Sequence, residues 1–115
     1  MKIWTDGSGW NGESSGYAVV FENGKMSILV REPFNKTNNE REYQAIIEAL
    51  NRAYQDTIIS DSQLCVNQIN GNWKVKQQHL LPLCQEAQRL LAEKQCKLIW
   101  NRREENKAGH LLEAK

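Results

Sequence analysis

Three carboxylates stand where their side chains could do chemistry together: Asp6, Glu42 and Asp61. Asp6 lies near the end of an alternating run, Lys2 to Ser8, just before a turn-rich Gly7-Ser8-Gly9. Asp61 follows a short strand pattern, Thr57-Ile58-Ile59-Ser60. Glu42 starts a helical stripe that continues through Ala45, Ile46, Ala49, Leu50 and Ala53. Ile59 and Asp61 are expected on one face of their strand. If the two strands are neighbours and the Glu42 helix covers that face, the three side chains converge. Three like charges at one point need a counterion, and clustered oxygen ligands suit Mg²⁺ or Mn²⁺. Two such ions about 3.5–4 Å apart activate a water and stabilise the leaving oxygen in phosphodiester hydrolysis.

Each carboxylate also has a plain reading. Asn39 as N-cap with Glu42 reaching back from the third helical position would be a capping box. Asp61 precedes a helix and suits its N-cap, and Asp6 before Gly-Ser suits a turn. Singly, these are the commoner uses. Jointly they leave unexplained why all three fall at element ends that face one layer.

The elements that must position these groups follow from patterning. Lys2–Ser8, Gly16–Phe21 and Lys25–Arg31 read as three antiparallel strands, with Asn23-Gly24 as the hairpin signal between the last two. A helix is expected from about Asn39 to Tyr54, then the strand at 57–60. A second helix runs from Ser62 to Ile69 and stops at Asn70-Gly71-Asn72. Trp73-Lys74-Val75-Lys76 is a basic loop around one aromatic, with either a nucleic-acid contact or a core tryptophan as its meaning. A third helix spans Leu80 to Ala92, a fifth strand Cys96 to Trp100, and a short last helix, weakened by Gly109, Glu104 to Lys115. Three strands followed by helix, strand, two helices, strand and helix predict an α/β fold: a five-stranded mixed sheet flanked by helices.

Composition sets the limits. A chain of 115 residues is expected to form one domain, residues 1–115. Its 15 basic and 14 acidic side chains nearly cancel, so any attraction for nucleic acid must come from local arrangement. Cys65, Cys84 and Cys96 lack CxxC spacing and read as reduced thiols, and His79 and His110 lie too far apart to spell a zinc site. With no signal-peptide pattern and no apolar run long enough for a bilayer, a cytoplasmic protein without membrane contact, and a monomer, is expected.

The ordered set of motifs resembles type 1 ribonuclease H in its compact, reverse-transcriptase-like form. The resemblance rests on Thr5-Asp6-Gly7-Ser8 with Gly16, on Thr37-Asn38-Asn39-x-x-Glu42-x-x-Ala45, and on Ser60-Asp61-Ser62-Gln63. It continues through Gln68-Ile69-x-Gly71-x-Trp73-Lys74-Val75-Lys76 and Arg103-Glu104-x-Asn106. What it implies is sheet order 3-2-1-4-5, a two-metal site for Mg²⁺ or Mn²⁺, and cleavage of the RNA strand of an RNA–DNA hybrid. Asp6, Glu42 and Asp61 would be the metal-binding catalytic carboxylates. Asn38, Asn39 and Gln63 would contact the hybrid in its minor groove, where 2′-hydroxyls distinguish RNA from DNA. Trp73 and Lys74 would meet the DNA strand by stacking and phosphate attraction.

One departure bears on catalysis. Where the family has Asn-x-x-Ala-Asp-x-Leu, this chain reads Asn106-Lys107-Ala108-Gly109-His110-Leu111-Leu112, so His110 takes the place of a fourth carboxylate. An imidazole can ligate a metal but brings no negative charge. His110 is therefore expected at the site as catalytic and metal ligand, with Glu113, one turn on, as the other group able to restore the charge; the plain alternative is a histidine merely exposed on the last turn. The histidine-bearing loop of the family's larger members is also missing, which leaves Arg102, Arg103 or Glu105 to assist proton transfer or product release. Two rival functions stand beside the nuclease. One is a hybrid-binding domain with weakened or lost catalysis. The other is a DNA-cutting nuclease of the same fold, against which the Asn38-Asn39 and Gln63 pattern argues.

Overall fold

The computed structural model describes residues 1–113. Five strands form one sheet in the order β3-β2-β1-β4-β5. They are β1 (Lys2–Ser8), β2 (Ser15–Phe21), β3 (Ser27–Glu32), β4 (Thr57–Ser60) and β5 (Lys97–Trp100). β1, β2 and β3 pair antiparallel, while β1–β4 and β4–β5 pair parallel. The helices are α1 (Asn38–Arg52), α2 (Gln63–Ile69), α3 (Leu81–Glu93) and α4 (Lys107–Glu113). Short 3₁₀ turns at Gln78–Leu80 and Arg103–Glu105 precede the last two. The expected mixed sheet, its order and its flanking helices are all present. The expected extension of the last helix to Lys115 lies outside the described residues. Among the described residues no helix is long and apolar enough to cross a membrane.

Strand alternation sends successive side chains to opposite faces, and the two faces are filled very differently. Ile3, Val19, Phe21, Ile58 and Leu98 pack with Tyr43, Ile46, Leu50, Cys65, Leu80 and Leu90 in the large core under α1, α2 and α3. Trp4, Ala18 and Ile59 meet Ala108 and Leu112 of α4 in a small second cluster, with Val20 and Leu111 half-buried against it. Ile59 therefore sits on the α4 face, opposite to α1. This corrects the expectation that the Glu42 helix covers the face shared by Ile59 and Asp61. β4 ends at Ser60, and Asp61 lies just past it.

The caps also differ from expectation. α1 begins one residue earlier, with Thr37 as N-cap. The Thr37 hydroxyl accepts from the Glu40 N–H, and the Glu40 carboxylate accepts from the Thr37 N–H. The capping box is thus Thr37–Glu40, and Glu42 is released from that role. α2 is capped by the Ser62 hydroxyl, which accepts from the Cys65 N–H, so Asp61 is not a cap either. Asp6 is paired opposite Ala18 inside β1, not in a turn. Two of the plain readings fail on hydrogen bonds that other residues make, and the third on the strand pairing of Asp6 itself.

Candidate metal centre and its surroundings

One oxygen from each of Asp6, Glu42 and Asp61 lies within 4.8 Å of the others. The three arrive from different directions. Asp6 points to the α4 face of β1. Asp61 leaves the end of β4, which runs parallel beside β1. Glu42 comes from α1, on the opposite face, and reaches the cluster because position 7 is glycine. A Cβ on Gly7 would stand 2.3 Å from the backbone of Arg41 and Glu42, so α1 lies directly against the β1 backbone there. The Gly7 N–H then donates to Glu42 Oε1 at 2.8 Å and fixes that side chain at the C-terminal end of the central strand β1. The buried Arg41 anchors the same turn of α1, donating to Ser15, Glu32 and Gln44.

Asp61 is oriented by Asn106. The Asn106 amide donates to Asp61 Oδ2 at 3.2 Å and to the Thr5 carbonyl at 2.9 Å. Its oxygen accepts from the N–H groups of Ala108 and Gly109, capping α4. A single buried amide thus joins the end of β1, the Asp61 carboxylate and the start of α4. The indole N–H of Trp100 also donates to the Asp61 carbonyl at 3.0 Å.

Asp6 is fully buried, and among the described residues neither of its carboxylate oxygens accepts a hydrogen bond. A buried carboxylate left this way is strongly penalised unless it is protonated or meets a cation. Burial, then the neighbouring Asp61 charge, pushes Asp6 up from its usual 3.8 to about 7, with Arg103 acting in the opposite direction. Burial, followed by Asp6 and Asp61, pushes Glu42 well above the carboxylate range against the Gly7 N–H. These are oxygen donors in a site that favours added positive charge, and they fit a hard divalent cation.

The local cation is Arg103. Its Nη1 lies 3.3 Å from Asp61 Oδ2 and 3.6 Å from Asp6 Oδ2, and its Nη2 donates to Glu113 at 2.6 Å. Beside it opens a cleft of about 460 Å³ lined by Ser8, Asn11, Arg31, Asn38, Glu42 and Glu113, among others. His110 is exposed on α4 and is not one of the groups that converge. At α4 the site is approached instead by Gly109, where a Cβ would lie 3.4 Å from Asp6 Oδ2, and by Glu113. The helical register read from Asn106 placed His110 four residues on; the observed cap turns position 109 inward and position 110 out.

The other expected residues divide between two depressions. Asn38, first in α1, lines the acidic cleft, and its amide oxygen accepts the Gly9 N–H. Asn39 faces a second groove, about 600 Å³, with Leu64, Gln68, Trp73, Lys74, Lys76 and Gln77. Trp73 is 48% exposed, which removes the core-tryptophan reading. Its loop is held by Gln68, which donates to the Lys74 carbonyl and accepts from the Tyr43 hydroxyl. Gln63 is exposed at the first turn of α2. From the sequence Gly7 reads as part of a turn and Asn106 as part of a motif; in the structure Gly7 lies within β1 and both position carboxylates of the cluster. The signal for Asn106 was available, since an asparagine just before a helix is a cap candidate. The contact of Gly7 with α1 is a tertiary fact with no local signature.

Comparison with known proteins agrees with this geometry. Residues 1–110 match the family described as RNase H. The bifunctional protein Rv2228c of Mycobacterium tuberculosis is 33% identical over 96 residues, covering 76% of this chain and 26% of that protein. A ribonuclease H of Caldicellulosiruptor saccharolyticus is 37% identical over 78 residues, covering 64% of this chain and 54% of its own. The matched stretch is thus only a part of each of these relatives. Among solved structures, the N-terminal RNase H domain of Rv2228c superposes with a TM-score of 0.78 at 27% identity, covering 98% of this chain and 93% of that one. LC11-RNase H1 in complex with an RNA/DNA hybrid gives 0.80 at 26% identity, covering 96% and 91%. The chain belongs to the RNase H family.

Proposed function

We propose that this protein is a metal-dependent endoribonuclease that hydrolyses the RNA strand of RNA–DNA hybrids. The observation that carries the reading is the Asp6 carboxylate, buried with neither oxygen hydrogen-bonded and within 4.8 Å of Glu42 and Asp61. Asp6, Glu42 and Asp61 hold Mg²⁺ or Mn²⁺. Bound divalent ions supply activation of a water and charge for the leaving oxygen. The chain's own residues do the rest. The Gly7 N–H keeps Glu42 turned to the cluster, and Asn106 keeps Asp61 there. Asn38, Asn39 and Gln63 read the minor groove of the hybrid, where the 2′-hydroxyls lie. Trp73, with Lys74, engages the DNA strand by stacking and phosphate attraction in the groove that begins at Asn39. Support for a hybrid substrate comes from LC11-RNase H1, a structural relative solved in complex with an RNA/DNA hybrid. Glu113 is the further carboxylate that lines the cleft beside Glu42, whereas His110 lies on the exposed side of α4.

A second reading, hybrid binding with weakened catalysis, is favoured by one observation: Arg103 meets Asp6 and Asp61 where an ion is required. Labelled hybrid incubated with Mg²⁺, Mn²⁺ or EDTA, beside matched RNA and DNA duplexes, separates the two. Ion-dependent cleavage of the hybrid alone supports the enzyme. Hybrid binding without cleavage in either metal supports the binding domain.

A further inference from the structure

We infer that Arg103 is an internal competitor for the cation bound by Asp6 and Asp61, and that Glu113 retains it when it lets go of them. The inference rests on the reading of Asp6, Glu42 and Asp61 as a cation site.

The guanidinium spans two environments. Nη1 reaches toward two carboxylates that are almost wholly buried, with Asp6 1% and Asp61 7% exposed. Nη2 is on Glu113, which is 60% exposed, and the arginine side chain is itself 55% exposed. The two grips differ in quality. At 2.6 Å the Glu113 contact is a full charge-assisted hydrogen bond. The 3.3 and 3.6 Å approaches to Asp61 and Asp6 exceed the roughly 2.7–2.9 Å of such bonds. Arg103 therefore neutralises the buried pair without binding it tightly, and a pivot about Glu113 removes it. Both hinge points face solvent: Arg103 opens a short 3₁₀ turn after β5, and Glu113 sits on the last described turn of α4. Asp61 Oδ2 does not lose its orientation in the exchange, because Asn106 donates to the same oxygen. Each ion that enters must outcompete one positive charge already at the site, which raises the metal concentration the protein needs.

Isothermal titration of Mn²⁺ into the EDTA-stripped, dialysed protein tests this without any turnover. Arg103→Gln is expected to bind Mn²⁺ more tightly, on the order of tenfold. Arg103→Lys keeps the charge but loses the fork that spans Glu113 and the buried pair, and falls between. Glu113→Gln is expected to weaken Mn²⁺ binding in the parent, because the displaced guanidinium loses its anchor, and to change nothing in the Arg103→Gln background. Equal or weaker binding in Arg103→Gln overturns the inference. So does an equal loss from Glu113→Gln in both backgrounds, which makes Glu113 a ligand. Asp6→Asn separates the two levels: if it binds Mn²⁺ as the parent does, the cation site itself is misassigned and the inference falls with it.

Discussion

The two faces of the sheet differ in depth, and the candidate site draws on both. Under α1, α2 and α3 lies a contiguous core that includes Ile3, Ile46, Leu50, Ile58 and Leu80. Under α4 the buried set is Trp4, Ala18, Ile59, Ala108 and Leu112. Glu42 is supplied from the deep layer, on a helix anchored by the buried Arg41 and seated on Gly7. Arg103, Asn106 and Glu113 belong to the shallow one. One carboxylate of the cluster is therefore held by the best-packed helix, while Arg103 and Asn106, which meet Asp61, lie in the connection from β5 to α4, a helix of seven residues that carries Glu113. On the proposed reading, the deep side sets where the site is and the shallow side sets how it is loaded. Elements with few buried apolar contacts open at lower free energy than the core.

The largest effect is expected where the two layers touch. Gly7→Ala puts a methyl group 2.3 Å from the α1 backbone, so α1 must move outward and take Glu42 with it. Activity is expected to fall at least about 100-fold, as for a displacement of roughly 1 Å at a reacting centre. Wild-type kinetics in a folded Gly7→Ala protein would show that the contact does not position Glu42.

Truncations within each layer sharpen the contrast. Leu50→Ala in the deep core is expected to destabilise by about 4 kcal/mol, near the upper end for such changes, and Leu112→Ala under α4 by about 2 kcal/mol, because the shallow layer can collapse. Leu112→Ala is nevertheless expected to lower Mn²⁺ affinity, since α4 carries Glu113 and is capped by Asn106. Denaturant unfolding paired with Mn²⁺ titration reads both. Equal losses of stability from the two variants would erase the distinction.

The smallest effect is electrostatic and has a defined sign. Asp6 rises from 3.8 to about 7 on folding, so the folded protein holds that proton more tightly than the unfolded chain. Its contribution to stability is fully present below about pH 4 and is lost as pH rises to about 7. Asp6→Asn removes this penalty. In EDTA the variant is expected to match the parent near pH 4 and to exceed it by about 1 kcal/mol or more at pH 7.5. Glu42 shifts the same way and keeps part of the slope in the variant. A difference that shrinks as pH rises would contradict the burial of an ionisable Asp6.

Much of this was legible in the sequence, for physical reasons that differ by element. Alternation in Lys2–Ser8 and the apolar stripe of Ala45, Ile46, Ala49 and Leu50 are local signals, and they located the strands and α1. Boundaries slipped where two residues competed for one job. Thr37 and Asn39 both suit an N-cap, as do Asp61 and Ser62, and only the hydrogen bonds decide. The convergence of Asp6, Glu42 and Asp61 was correctly expected, but through the wrong face, because nothing local tells which side of a sheet a helix covers. The missing side chain of Gly7 lets Glu42 reach across. The outward turn of His110 and the inward reach of Arg103 depend on how the Asn106 cap sets the start of α4.

Three carboxylates brought from both faces of the sheet are proposed to form one cation site that cleaves hybrids. Glu42→Gln tests it most directly, because the Thr37–Glu40 box leaves Glu42 no capping duty. The measurement is cleavage of labelled RNA–DNA hybrid over a Mn²⁺ series by parent and variant, with folding checked by thermal unfolding. The account predicts ion-dependent cleavage of the RNA strand by the parent and a variant that unfolds like it but retains little activity at any Mn²⁺ concentration. Full activity in a folded Glu42→Gln protein would remove Glu42 from the site and contradict the account.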